Sequence, residues 1–390
     1  MVECTRIDSS LNKNQDSKKS LTQSRQGAKR LRDILTSSSI ALKIEITHRL
    51  KVMMNQNIHN FAIANFSLQC GVILSEANIV YKTYGELNID KSNVILYPTS
   101  YGAQHSDIEW LIRPDSILDP SQYFIIIPNM LGNGLSSSPS NNPNCKLAES
   151  GFYFTHLDNI TAQKQLLDSL GINKLALVYG WSMGAQQVYH WGALYPDRVE
   201  RIAAICGTAK TTDHNKIFLQ SLRTALTADP AWNGTKFEGI PDRGFTAFAR
   251  IYASWAASQA YYRQGLYYQF GYESLEDYLV RGWEANYRKK DPLNYLSMID
   301  TWLHCDVSNN PTYQGNYQQA LQSITAKTLV MPATTDLYFP PVDCKAEADL
   351  IPNAKYLPIP SIWGHRAGNP YQNPEDELFI KKAIAQLLKL

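Results

Sequence analysis

The segment from Asn173 to Cys206 limits the architecture more than any other part of the chain. It reads NKLALVYG, then WSMG, then AQQVYHWGALYPD, then RVERIAAIC. A continuous apolar run, rather than an alternating one, predicts a strand buried on both faces. A helix between two such strands predicts that they lie parallel. The pattern recurs. SNVILYPTS, QYFIIIPNMLGNG, AKTLVMPATTD and AKYLPIPS all read as strands. THLDNITAQKQLLDSLGI, VDCKAEADLI and PEDELFIKKAIAQLLKL read as helices, the first stopped at Gly171. GVILSEANIVYKTYG is expected to form two short strands around a turn. The expectation is an α/β fold whose mostly parallel sheet carries helices on both faces.

From about Thr208 to Ser323 the strand signal vanishes and helical segments follow one another. Thirteen aromatic residues crowd between Tyr252 and Trp302. The chain therefore divides into a core of residues 53–207 and 324–390 and a helical lid insertion, 208–323. The aromatics either pack that lid or shape a pocket for a large apolar acyl group. Residues 1–52 differ again: they hold 11 Lys/Arg against 5 Asp/Glu and little apolar sequence. Such a segment buries too little surface to offset its ordering entropy, so a disordered tail is expected. Met53 or Met54 offers an alternative start.

The formal charge of +2, from 37 basic and 35 acidic residues, gives no electrostatic ground for a nucleic-acid or membrane partner. No apolar run approaches the ~18 residues of a membrane span. The six cysteines are scattered without Cys-x-x-Cys or zinc spacing, which predicts free thiols, a cytoplasmic protein and no metal.

Gly180-Trp181-Ser182-Met183-Gly184 joins a strand to a helix, and its serine stands between two glycines. In such a nucleophile elbow the serine adopts a strained conformation. Strand and helix then approach so closely that side chains two residues either side would collide. The turn presents the Met183 N–H at a helix start, where it can stabilise an oxyanion. A serine hydroxyl needs a base, and the base an orienting acid. Asp336 follows a late strand, and His365 lies past the next, 29 positions on. Asp343 is the competing acid, but it opens a helix and reads as a first-turn charge. The remaining histidines fit the order less well, with His105 expected in a structural hydrogen bond. A second oxyanion donor is expected from the loop after SNVILYP, at the N–H of Thr99 or Ser100.

With these residues placed, the chain resembles the homoserine O-acetyltransferase family of the α/β-hydrolase superfamily, from about Phe61 onward. YKTYGELN, DPSQYFIIIPNMLGNGLSSSPSNNP, DNITAQKQLLDSLGI, SMGAQQVYHWGALYPDRVERI and RTALTADPAWNG follow in the family's order. The resemblance implies an α/β-hydrolase fold, a Ser182–Asp336–His365 triad, Thr99 and Met183 as oxyanion donors, and a homodimer. It also implies that Arg250 holds a substrate carboxylate. Two departures stand out. The elbow has Trp181 and Ala185 where the family has glycine. Arg366 follows His365 where the family has an aspartate that binds an ammonium group. The reversed charge disfavours homoserine. Three readings follow: a serine hydrolase of small esters or amides, which the missing aspartate favours; an acetyl-CoA-dependent O-acyltransferase acting on another alcohol; and a non-catalytic ligand-binding protein. The partner is a small-molecule ester or acyl donor, with no cofactor beyond acetyl-CoA as co-substrate if acyl transfer is the reaction.

Overall fold

In the computed structural model, residues 58–147 and 151–389 are described. The tail expected at 1–52 lies outside them. Eight strands form one sheet in the order β1-β2-β4-β3-β5-β6-β7-β8. These are β1 (Ile58–Ser67), β2 (Ile73–Tyr84), β3 (Val94–Leu96), β4 (Phe124–Pro128), β5 (Leu177–Trp181), β6 (Arg201–Ile205), β7 (Lys327–Met331) and β8 (Ala354–Tyr356). β1, β2 and β4 pair antiparallel, and every pairing from β4 through β8 is parallel. The parallel strands are those with continuous apolar runs. Ile95, Leu96, Ile125, Ile126, Leu177, Val178 and Ile202 are all fully buried, as strands covered on both faces require.

The N-terminal strands correct one expectation. GVILSEANIVYKTYG contains no turn: Ile73–Tyr84 is a single strand. The polar Ser75-Glu76 pair interrupts the apolar pattern. It lies in the part of β2 that pairs only with β1, where outward-facing positions are exposed. A two-stranded ribbon tolerates polar residues that a central strand would not.

Between β6 and β7 the chain is helical. Its longer helices are Asp213–Thr227, Asp242–Ala256 and Pro292–Leu303. The last turn before the cleft, Tyr278–Glu284, is a π-helix, a form that recurs at functional sites. The aromatics of this insertion divide in two. Phe218, Phe245, Phe248, Tyr295 and Trp302 are buried in the main hydrophobic cluster, whereas Tyr252, Tyr272, Tyr278, Trp283 and Tyr287 line a cleft. Part of the aromatic stretch therefore packs the lid and part of it borders the cleft. Among the described residues, no helix is long and apolar enough to cross a membrane.

Candidate active site

The parallel strands deliver their C-terminal ends to one edge of the sheet, where open α/β sheets bind ligands. β5 ends at Trp181, and Ser182 follows with φ 61° and ψ −126°, the only residue between the strand and the helix Met183–Leu194. That backbone region is costly for a residue with a side chain, on the order of 1–3 kcal/mol. The turn is held on both sides. Ser182 N donates to Ile205 O at 3.0 Å, and Gln186 N donates to Ser182 O at 3.1 Å.

The flanking glycines are set by contact. A Cβ on Gly180 would lie 2.3 Å from Gly184 O, and one on Gly184 would lie 2.9 Å from Pro98 O. Gly180→Ala should therefore destabilise the protein by about 3 kcal/mol, because the obstacle is backbone and cannot rotate away. Its urea midpoint and its ester turnover should fall together. An unchanged midpoint would show that the elbow relaxes more easily than this packing allows.

β7 and β8 bring the other two residues together. Ala333 bridges Ile359 beyond the strand ends, and the Thr334 and Thr335 hydroxyls both donate to Ser361 O, at 3.1 and 2.8 Å. The two loops are thereby clamped side by side. Asp336 Oδ2 lies 2.8 Å from His365 Nδ1, and both side chains are almost fully buried. The other carboxylate oxygen, Oδ1, accepts from the N–H groups of Tyr338 at 2.8 Å and Phe339 at 3.2 Å. This fixes the carboxylate, and a carboxylate facing Nδ1 favours the tautomer that carries its proton there and leaves Nε2 without one. Gly364 enters the loop at φ 65°, where a Cβ would meet Ser258 N at 2.8 Å. Asp343 sits instead in the first turn of Pro341–Leu350.

Trp181 was noticed in the sequence only as a departure from a pattern. Its indole stacks on His365 at 4.9 Å and 26°, and Nε1 donates to His365 O at 3.2 Å. Tyr338 meets the same ring edge-on at 4.8 Å. An indole face against an imidazole favours the ring's cationic form over the neutral one. No local signal marked this contact, because Trp181 and His365 are far apart in sequence.

A cleft of about 570 Å³ opens over these residues, lined by Ser182, His365, Trp181, Ser100, Tyr101 and Arg366 among others. Cys206 lies beside the Asp336–His365 pair. Its sulfur, an Asp336 oxygen and a His365 nitrogen all fall within 4.8 Å of one another. The thiol is fully buried, outside the cleft lining, and its pKa is pushed well up by burial and then by the Asp336 charge. A thiol so placed stays protonated and out of reach of a substrate, whereas Ser182 faces the cleft.

Two expected residues stand elsewhere. The Thr99 N–H donates to Pro128 O at 3.3 Å, and the residue is fully buried. It completes the sheet ladder and is not available to an oxyanion. Ser100 and Tyr101 come next, both line the cleft, and their N–H groups have no acceptor among the described residues. The Ser100 hydroxyl is tied to the elbow, donating to Trp181 O and accepting from Gly184 N. Arg250 does not reach the cleft. Its guanidinium is bound by Glu276 and by the buried Glu284, the latter 2.9 Å from Nε. It braces the lid helix Asp242–Ala256 against the π-helical turn. Sequence position alone could not show that two glutamates converge there. His105 is buried, with Nδ1 3.1 Å from the Asn129 amide, as a structural histidine should be.

The model of the α/β hydrolase fold family matches residues 101–365. The chain belongs to that family. It is 39% identical over 310 residues to a probable esterase of Corynebacterium glutamicum, covering 78% of this chain and 88% of the relative. It is 38% identical over 308 residues to the ethyl acetate hydrolase of Pseudomonas veronii, covering 78% and 87%. The structure superposes on the acetyl esterase MekB with a TM-score of 0.80 at 35% identity, covering 86% and 97% of the two chains. The homoserine O-acetyltransferase of Methanococcus vannielii is a more distant match, 30% identical over 349 residues, covering 80% of this chain and 70% of that enzyme. The chain is thus an enzyme of the acyl-transfer and ester-hydrolysing kind built on this fold, and its similarity to esterases exceeds its similarity to the acetyltransferases.

Proposed function

We propose that the chain hydrolyses short-chain, acetyl-type esters through an acyl-Ser182 intermediate. The observation that carries this reading is the His365–Asp336 contact at 2.8 Å beside a serine held at φ 61°, with serine and histidine on one cleft. Ser182 Oγ attacks the ester carbonyl while His365 Nε2 takes its proton. Asp336 orients the ring and offsets the positive charge that forms on it. The oxyanion accepts from the Met183 N–H, which at the first position of its helix has no intrahelical acceptor. A second donor comes from the Ser100–Tyr101 backbone. His365 then hands its proton to the departing alcohol. Water, deprotonated by the same histidine, releases the acid and restores Ser182.

Acetyl-CoA-dependent transfer to an alcohol is the second reading, supported by the 30% identity to an acetyltransferase. Arg366 weighs against homoserine as that alcohol. The residue is among those lining the cleft, and like charges at ~4 Å cost about 1 kcal/mol in water and about 4 kcal/mol at an effective dielectric of 20. At about 1.4 kcal/mol per tenfold, a preference of roughly a hundredfold against an ammonium-bearing acceptor is expected. Incubation with ethyl acetate or p-nitrophenyl acetate, and separately with acetyl-CoA with and without L-homoserine, tests both points. Alcohol release that needs no acceptor supports the hydrolase. Efficient formation of O-acetylhomoserine would overturn it.

A further inference from the structure

Arg366 follows His365 in the chain, and both it and Tyr278, whose hydroxyl it binds, are among the residues that line the same cleft as Ser182. Its Nη1 donates to the hydroxyls of Tyr261 at 3.1 Å and Tyr278 at 2.9 Å. The guanidinium carbon lies 5.7 Å from the ring centre of Tyr261, 5.3 Å from that of Phe270 and 5.5 Å from that of Trp363. These partners carry no formal charge. The Tyr261 phenol is pushed up by burial, so it remains protonated. An arginine does not give up its proton to relieve burial.

What Arg366 lacks is a counter-ion. Among the described residues no carboxylate lies within ion-pair distance of it. The acids near the cleft are already committed: Asp107 to Lys290 at 2.8 Å, and Asp336 to His365 at 2.8 Å. The exposed lid residues Arg243 and Arg263 also form no ion pair among the described residues, but they stand in water, and the less exposed lid arginines are mostly paired. Arg250, Arg281 and Arg288 are each paired with one or two carboxylates. Withdrawing a charge from water without a partner is costly, and the cost falls when an anion arrives. Among the described residues only Nη1 has acceptors, so Nε and Nη2 keep donors of the planar fork for a carboxylate. Three aromatic rings 5.3–5.7 Å from the guanidinium carbon and two phenol acceptors already restrain the group, so less freedom remains to be lost on binding.

We propose that Arg366 forms a carboxylate-binding subsite in the cleft, and that the preferred ester carries a free carboxylate in addition to its scissile acyl group. The proposal deepens the hydrolase reading and rests on it. The reaction is unchanged: water and ester give acid and alcohol, and the second carboxylate serves only to anchor the substrate. A neutral ester can occupy the same cleft, but it leaves the guanidinium unpaired.

The test uses two matched pairs of esters. Monoethyl succinate against ethyl 4-methylpentanoate places the charge on the acyl side, and 3-acetoxypropanoate against isoamyl acetate places it on the alcohol side. In the full-length protein, one anionic ester should exceed its neutral isostere in kcat/KM by about tenfold or more, the size of one charge-assisted contact. That advantage should shrink in 0.5 M salt. Arg366→Gln should reduce the anionic-to-neutral ratio by about tenfold, and Arg366→Lys should retain part of it. Because each ratio is taken on one preparation, partial misfolding cancels. Calorimetric binding of isobutyrate against isobutyramide to the unmodified protein judges the subsite without any variant and without turnover. Neutral esters hydrolysed as well as or better than both anionic partners, with isobutyrate binding no tighter than the amide, would overturn the subsite and leave the hydrolase standing. Turnover of none of the four esters would sink the hydrolase reading instead, and the calorimetry would still decide the subsite.

Discussion

Ser182→Ala is expected to lower kcat/KM for acetyl esters by about 10⁶, the scale on which loss of a serine nucleophile is felt when the residual rate comes only from binding and oxyanion stabilisation. Covalent labelling by a fluorophosphonate should disappear with it. The fold should persist, because alanine at φ 61° meets the same backbone strain as serine and no hydrogen bond of the Ser182 hydroxyl holds the elbow. The comparison that gives the result meaning is Cys206→Ala. That thiol sits within 4.8 Å of the Asp336 and His365 ligand atoms, so it is the other nucleophilic group in the neighbourhood. It is fully buried, however, does not line the cleft, and is held protonated by that burial. The Cys206 variant should keep fluorophosphonate labelling at Ser182. Labelling that survives in Ser182→Ala and is lost in Cys206→Ala would reverse the assignment.

Asp336→Asn should reduce kcat by about 10⁴ with a much smaller change in KM. An asparagine matches the carboxylate in shape but presents either a neutral oxygen or an N–H to His365. In one orientation it no longer stabilises the charged ring. In the other it forces Nδ1 to accept, which puts the proton on Nε2 and removes the base from Ser182. The Tyr338 and Phe339 N–H groups favour an oxygen at the Oδ1 position, since both donate there, at 2.8 and 3.2 Å. The amide nitrogen is thereby directed at His365, the more damaging orientation. Raising the pH should recover part of the rate if hydroxide can replace the missing base. A loss of less than about tenfold would mean that another acid orients the histidine, and Asp343→Asn would then be the variant to make.

Much of the core was legible because it depends on short-range pattern. Runs such as Leu177–Trp181 and Arg201–Ile205 read as buried parallel strands, and a serine between two glycines at a strand–helix joint has few explanations that fit sterically. The order of serine, acid and histidine was readable for the same reason: each follows a strand that the pattern had already identified. β2 was misread because the number of neighbours a strand segment has is not a local property: the Ser75-Glu76 stretch pairs only with β1, which permits its polar residues.

The residues that tertiary structure alone decided are those whose role depends on what a distant segment brings. Thr99 and Ser100 are neighbours, yet the pairing of β3 with β4 takes the Thr99 N–H into the ladder and leaves Ser100 at the cleft. Arg250 and Arg366 both stood out as cations near a pocket. Glu276 and Glu284, folded in from later in the lid, neutralise the first and turn it into a brace. The second meets only phenols and aromatic faces. Sequence determined where the charges lie along the chain; the lid's packing determined which of them is left unpaired, because pairing is settled by three-dimensional proximity, to which separation along the backbone is a poor guide.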